Sequence, residues 1–202
     1  MAKPNWLILN PTTGSGNGSI SNSAAAHTGR VARTGIVTVT GEGVAEPVTY
    51  KVNQSPLAEY VSFDNGTEMA AGKQAGKVTI EGKSNAAKLT FSFVGEVYDV
   101  ELPASYSAAG ISTANGVAIE GDPGAAAEYA FSIVLDFPEN DTIGEVVRTV
   151  LVKSEGGKSA QIAVRQAAGD ARLAVNPTEI TIDQAGNAVS VNVESNTSWS
   201  VA

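Results

Sequence analysis

Apolar and polar residues alternate along most of this chain, and the alternation predicts short β-strands. In residues 34–40 and 48–54, Val, Ile and Tyr alternate with Thr, Lys and Asn. Successive side chains of a strand point to opposite faces of its sheet, so each segment would bury one face. No segment longer than a turn or two shows the 3.6-residue apolar period of a helix. We therefore predict an all-β protein with little helix.

The same hairpin pattern occurs twice. Residues 33–54 begin with Arg-Thr, turn at Gly41-Glu42-Gly43 and end with Val-Asn-Gln. Residues 148–166 begin with Arg-Thr, turn at Glu155-Gly156-Gly157-Lys158 and end with Val-Arg-Gln. β-Branched runs joined by a glycine-containing turn are typical of a β-hairpin. The repeat predicts two units of one fold, with the hairpins in equivalent places.

A second similarity joins the middle of the chain to its end. Ser84-Asn85 follows an alternating segment and precedes Leu89, as Ser195-Asn196 does before Trp199. The order is therefore second half, whole copy, first half. We assign residues 1–55 to the second half of a sandwich, 56–169 to a complete, degenerate sandwich and 170–202 to a first half. A length of 202 residues suits two sandwiches of about 100 residues each.

The two ends together carry a recognisable motif when they are taken in the order tail, then head. The tail has Val193-Glu194-Ser195-Asn196-Thr197-Ser198-Trp199, and the head has Asn5-Trp6-Leu7, Asn10-Pro11 and Thr13-Gly14-Ser15-Gly16-Asn17-Gly18. This passage resembles the BACON domain, an immunoglobulin-like β-sandwich module common in Bacteroidetes and their phages, here with its halves in the opposite order. The resemblance implies two immunoglobulin-like, BACON-type β-sandwiches and no enzyme chemistry.

Half a sandwich cannot cover its own apolar face, so each terminal half needs a partner. The two halves could pair within one chain, as a permuted sandwich around an inserted one, or between subunits, the tail of one with the head of the next. The sequence leaves both arrangements open. The residues that we expect at this pairing and its core are Trp6, Leu7, Ile8, Val191, Val193, Trp199 and Val201.

Charge and composition exclude several classes of function. The formal net charge is −8 and no block of Lys or Arg occurs, which argues against binding to nucleic acid or to an anionic membrane. No apolar run approaches the roughly 18 residues of a membrane span. The chain has no cysteine and one histidine, His27, so thiolate or His-rich metal sites and Ser-His pairs have little to work with. We expect no catalysis, no metal and no cofactor.

Aromatic residues are the remaining candidates for ligand binding, because sugar rings stack on them. We expect Trp6 and Trp199 to be core residues, since aromatic side chains of this size are mostly buried. Tyr98 and Tyr106 lie near turns, and we nominate them as exposed glycan-contacting residues.

These observations favour a structural protein of a phage virion, a capsid auxiliary or decoration protein, whose partners are copies of itself and other virion proteins. The start of the chain, Met1 to Trp6, lacks the charged start, apolar run and cleavage site of a secretion signal, so we expect assembly in the host cytoplasm. One alternative is a carbohydrate- or mucin-binding module of a Bacteroidetes surface protein or a phage adhesion protein, the activity that the resemblance suggests. Another is a fragment of a lipoprotein or fimbria-like protein at the bacterial cell surface.

Overall fold

A computed structural model describes residues 3–97 and 99–202. They form three consecutive units, which we name the N-terminal unit (residues 3–55), the central unit (56–169) and the C-terminal unit (170–202). Nearly all regular structure is β, as predicted. The one helix described, α1 (Pro123–Ala126), is a single turn with proline in its first position. None of the described residues forms a helix that is long and apolar enough to cross a bilayer.

The N-terminal unit consists of two small antiparallel sheets. Its strands are β1 (Leu7–Asn10), β2 (Ser21–Ala24), β3 (Arg33–Val39) and β4 (Val48–Gln54). β1 pairs with β2, and β3 pairs with β4 to form the first predicted hairpin. Leu7 and Val37 are the buried large side chains of this unit. The unit thus has the strands of a half sandwich but only a small core.

The central unit is a complete β-sandwich of two sheets. One sheet has the order β10-β9-β11-β7-β5 and the other the order β6-β13-β12-β8. All pairs are antiparallel except β13 with β6. The strands are β5 (Val61–Phe63), β6 (Glu68–Ala71), β7 (Gly76–Ser84), β8 (Leu89–Val94), β9 (Ser105–Ala108), β10 (Ile111–Ala114), β11 (Tyr129–Phe137), β12 (Val146–Ser154) and β13 (Ser159–Gln166).

The alternating residues of both sheets meet in one core between them. From β11, Phe131, Ile133 and Leu135 are buried, while Val134 between them points to solvent. Phe131 packs edge-on against Phe63 and Phe91, with ring centroids 5.9 and 5.7 Å apart. A period of two residues therefore holds along the whole strand, and it places one complete hydrophobic core in the central unit.

The C-terminal unit contains only two short strands. They are β14 (Leu173–Asn176) and β15 (Asn192–Ser195), which form an antiparallel pair. Residues 179–183 and 188–193 alternate as strands do, but the structure has a strand there only from Asn192 onward. A strand needs a neighbouring strand for its backbone hydrogen bonds, and residues 179–191 have none within the described part of the chain.

The pairing of the two ends within one chain, one of the two arrangements left open above, is not formed. β14 and β15 pair only with each other, and β1 to β4 pair only among themselves. The physical reason is the position of the junctions. The N-terminal unit joins the central unit near Ser84, and the C-terminal unit joins it near Phe137, which pairs with Gly76 at the other end of β7. The nine residues of β7 separate these poles by about 26 Å.

Candidate functional site

The candidate site consists of exposed apolar side chains in and beside the strands of the two terminal units, and we name these two groups the apolar β-surfaces. On the C-terminal unit, Val191 is 37%, Trp199 53% and Val201 90% exposed. On the N-terminal unit, Val39 and Ile20 are also open to solvent. Isolated exposed apolar residues are ordinary, but contiguous groups of them mark protein contacts. We therefore compared both surfaces with the central unit, where the corresponding surfaces are covered.

The strand pair of the C-terminal unit repeats a pair of the central unit, register included. In both strand pairs an aliphatic residue lies opposite the serine of a Ser-Asn sequence. Two residues further along each strand, a second pair of residues lies opposite in the same way. The paired residues are Val61 with Ser84 and Phe63 with Gly82 in β5 and β7, and Leu173 with Ser195 and Val175 with Val193 in β14 and β15. β14 and β15 therefore correspond to β5 and β7.

Asn85 closes the start of the central unit through its side-chain amide. Its Oδ1 accepts a hydrogen bond from the backbone N–H of Tyr60 at 2.9 Å, and its Nδ2 donates to the carbonyl of Ala58 at 3.3 Å. The same Nδ2 reaches the carbonyl of Thr28 in the N-terminal unit at 3.2 Å. Beside it, the Ser84 hydroxyl donates to the Tyr60 carbonyl at 2.7 Å. Asn85 is fully buried, so it joins two units with no water in between.

Asn196 makes the same set of bonds in the C-terminal unit. Its Oδ1 accepts from the backbone N–H of Arg172 at 2.9 Å, and its Nδ2 donates to the carbonyl of Asp170 at 2.8 Å. Nδ2 also reaches back to the carbonyl of Asp141 in the central unit at 2.7 Å. The Ser195 hydroxyl donates to the Arg172 carbonyl at 3.0 Å. The Ser-Asn sequence is thus a junction motif that attaches each unit to the preceding one.

The N-terminal unit repeats the second half of the central unit in a similar way. The Arg33 guanidinium donates to Gln54 Oε1 at 2.9 Å, and Gln54 Nε2 donates to the carbonyl of Ala25 at 2.8 Å. The Arg33 guanidinium also lies over the Trp6 ring, 4.6 Å from its centroid. The Trp6 ring in turn lies against Gly35 of β3, where a side chain would have little room.

Arg148 and Gln166 form the corresponding pair in the central unit. Arg148 donates to Gln166 Oε1 at 2.9 Å, and Gln166 Nε2 donates to the carbonyl of Pro138 at 2.7 Å. The guanidinium lies 4.9 Å from the centroid of Phe137 and forms an ion pair with Asp99. Hydrogen bonds from the buried Arg148 hold the pKa of Asp99 below its usual range. The strand register of this hairpin differs by two residues from that of β3 and β4, although the side-chain bonds agree.

The contact between the N-terminal and central units also contains a charged pair. Arg30 donates to both carboxylate oxygens of Asp122, and it donates to the carbonyl of Asn85 at 3.2 Å. Its hydrogen bonds lower the pKa of Asp122. Across the junction, Gly29 packs so closely on α1 that an added Cβ would lie 2.4 Å from the Ala126 carbonyl carbon. This junction is therefore closely packed and combines polar and backbone contacts.

The residues nominated from the sequence occupy different environments. In the N-terminal unit, Leu7 is buried, Trp6 is half-buried and Ile8 is exposed. In the C-terminal unit, Val193 is half-buried and Val191, Trp199 and Val201 are exposed, as given above. The structure thus keeps the two groups apart in one chain.

The glycan candidates need a correction. Tyr106 is only 4% exposed, and its ring packs against Phe91 with centroids 4.9 Å apart, so it belongs to the central core and cannot receive a sugar. Its segment forms the edge hairpin β9–β10 and turns the ring inward. Tyr98 lies outside the described residues.

Sequence reasoning did not find Asn85 and Asn196 as junction residues. It noted their Ser-Asn sequences only as signs of a repeat. The position of a Ser-Asn pair at the end of a strand contains the signal, but its backbone N–H and carbonyl partners come from segments 24 to 57 residues away in the chain. Local patterns do not reveal contacts at such separations.

No protein-family model matches the sequence, and no curated protein matches it. Three solved structures are similar in part. They are a Bacteroides ovatus GH5 xyloglucanase (15% identity, 54% of this chain and 19% of that chain, TM-score 0.33), domains 4 and 5 of the S-layer protein SbsC (14%, 82% and 67%, 0.37) and mouse clustered PcdhgC3 EC1-3 (13%, 73% and 46%, 0.38). The chain spans about a fifth of the xyloglucanase chain. At these identities a likeness concerns the fold alone.

Proposed function

We propose that this chain is a non-enzymatic structural protein of a phage virion, a capsid auxiliary or decoration protein that contacts its neighbours through β-sandwich units. The observation that carries the proposal is the pair of apolar β-surfaces on the terminal units. A covered counterpart of each exists in the central unit, so both surfaces are built to be covered by protein. Their positions on opposite sides of the central unit suit a component that bridges neighbours.

The sequence supports the virion part of this proposal. The terminal segments resemble a module common in Bacteroidetes and their phages. The net acidic charge of −8 and the even spread of Lys and Arg suit a protein that contacts protein rather than packaged nucleic acid.

The test is the location of the protein in purified particles. Particles from the source culture would be isolated on a density gradient, digested and analysed by mass spectrometry, and intact particles would be labelled with gold-conjugated antibody. We expect peptides of this chain to co-sediment with capsid proteins and the gold to lie on the capsid. Recovery in host-envelope fractions, with none in the particles, would contradict a virion role and favour a bacterial surface location.

A second candidate function is glycan binding, and the exposed indole of Trp199 favours it. An open indole face offers an apolar plane on which a sugar ring can stack. Glycan-array binding that is lost in Trp199→Ala would support this function. The matched control is Trp6→Ala, because Trp6 already stacks with Arg33 and is less exposed.

A further inference from the structure

Each of the four strands of the N-terminal unit has one free edge among the described residues, and β2 and β3 are the two whose counterparts in the central unit have neighbours on both edges. β2 pairs only with β1, and β3 pairs only with β4. Their counterparts β11 and β12 have neighbours on both edges: β9 and β7 flank β11, and β13 and β8 flank β12. β1 pairs with one edge of β2 as β9 pairs with one edge of β11. The free edge of β2 therefore corresponds to the other edge of β11, which β7 occupies. The free edge of β3 corresponds to the edge that β8 occupies.

The C-terminal unit contains the counterparts of those two missing neighbours. β15 corresponds to the end of β7, as its register and its Ser-Asn bonds show. Counting back four residues from each serine, Val191 corresponds to Ile80. Trp199 follows Ser195 as Leu89 follows Ser84, with one residue fewer, so residues 199–201 correspond to the start of β8.

Burial indicates that this C-terminal surface lacks its cover. Ile80, Leu89 and Phe91 are buried in the central core, while their counterparts Val191, Trp199 and Val201 are the exposed residues described above. The same difference holds for β6, which pairs with β13 in the central unit. Its counterpart, residues 179–182, forms no strand and leaves Ile182 more than half exposed.

Charge favours contact between the two terminal units. Basic residues outnumber acidic ones in the N-terminal unit, and the opposite is true of the C-terminal unit. Apart from Arg30, which is paired with Asp122, the N-terminal unit has Lys3, Arg33 and Lys51 against Glu42 and Glu46. The C-terminal unit has Asp170, Glu179, Asp183 and Glu194 against Arg172. Opposite charge steers association and disfavours contact of two like units. A head-to-tail arrangement is therefore favoured over head-to-head or tail-to-tail.

We infer that the C-terminal unit of one copy adds its strands to the free edges of β2 and β3 in a second copy, so that the chains join head to tail through complete sandwiches. The two units lie at opposite poles of the central unit and do not pair with each other among the described residues, and their matching registers and opposite charges favour a second copy as the partner. The contact is heterologous, so repetition produces a filament or a closed ring. The inference deepens the proposed structural role and rests on it.

The central unit supplies the register of the proposed contact. In it, Ile133 lies opposite Ile80, and Ser154 lies opposite Leu89. The carbonyls of Ala25 and Pro138 accept the equivalent glutamine hydrogen bond, and Ile20 precedes Ala25 by as many residues as Ile133 precedes Pro138. Ile20 therefore corresponds to Ile133. Val39 corresponds to Ser154, because Arg33 corresponds to Arg148. The predicted pairs across the contact are Ile20 with Val191 and Val39 with Trp199.

The first test uses the absence of cysteine from the chain. Ile20→Cys and Val191→Cys would be made as separate full-length proteins, mixed and oxidised. We expect a disulfide-linked dimer that forms only in the mixture, and the same for Val39→Cys with Trp199→Cys. The control is Val134→Cys mixed with Val191→Cys, because Val134 is exposed on the central unit outside both surfaces. Linkage no greater than in this control would overturn the inference.

The second test is the solution mass of the wild-type chain across a dilution series, by sedimentation or mass photometry. We expect species larger than a monomer that dissociate on dilution. Val191→Asp buries a charge in the proposed contact and should weaken self-association at least about tenfold. Because Val191 is exposed in one chain, the variant should keep the wild-type β circular dichroism spectrum.

A wild-type chain that stays monomeric at all concentrations would refute self-pairing. The same holds if it stays monomeric and binds only another protein from a particle extract. Neither outcome bears on the presence of the chain in purified particles, so the failure of this inference and the failure of the virion role can be told apart.

Discussion

The Ser-Asn junction motif supports a prediction in which the chain supplies its own control. Asn85→Ala removes the oxygen that accepts the Tyr60 N–H at 2.9 Å and the amide that donates to Ala58 and Thr28. A buried backbone group left without a partner costs about 1–3 kcal/mol, and a lost hydrogen bond costs about 1 kcal/mol more. Since Asn85 is fully buried, we expect the free energy of unfolding to fall by about 2–4 kcal/mol.

Asn196→Ala deletes the equivalent bonds at a half-buried position, where water can replace the amide. We therefore expect a loss of about 1 kcal/mol or less. Both variants would be unfolded in urea and followed by tryptophan fluorescence and circular dichroism, and the free energies would be extrapolated to water. Equal losses for the two variants, or a loss under about 0.5 kcal/mol for Asn85→Ala, would refute the reasoning that burial sets the cost.

Two further variants test the central unit and its junction. Because Arg148 lowers the folded-state pKa of Asp99, this carboxylate stabilises the fold above its unfolded pKa of about 4, and the contribution disappears as pH falls through the folded pKa. Between pH 5 and 3, Asp99→Asn should lose less stability than wild type in urea titrations, and parallel pH profiles would count against this. Gly124→Ala should push against the Asn85 carbonyl and speed hydrogen exchange at the N-terminal junction, while Gly144→Ala, with open space around it, should match wild type. Equal exchange in both glycine variants would show that the close contact is unimportant.

Local patterns sufficed for the two hairpins and marked the internal repeat. In β11 and in the hairpin β12–β13 alternate side chains enter the core, because the pleat alone places alternate residues on opposite faces. The Arg-Thr and Val-x-Gln matches and the two Ser-Asn sequences marked equivalent places in different units. The structure adds to this their equivalent hydrogen bonds.

Contacts between distant segments were decided only by the tertiary structure. β6 lies in a polar segment without a clear strand pattern, and it is a strand because β13, nearly a hundred residues later, supplies parallel hydrogen bonds. Tyr106 is buried because the edge hairpin places it against Phe91.

The sequence by itself determined the fold class and the two hairpins, because these depend on residues close together in the chain. Only the tertiary structure decided that Trp6 and Trp199 belong to surfaces at opposite poles, since that depends on where each junction meets the central sandwich. The pairing of backbone groups depends on which strands are neighbours in space. The residue pattern of a terminal unit indicates its strands, but it does not indicate which segment supplies their hydrogen-bonding neighbours.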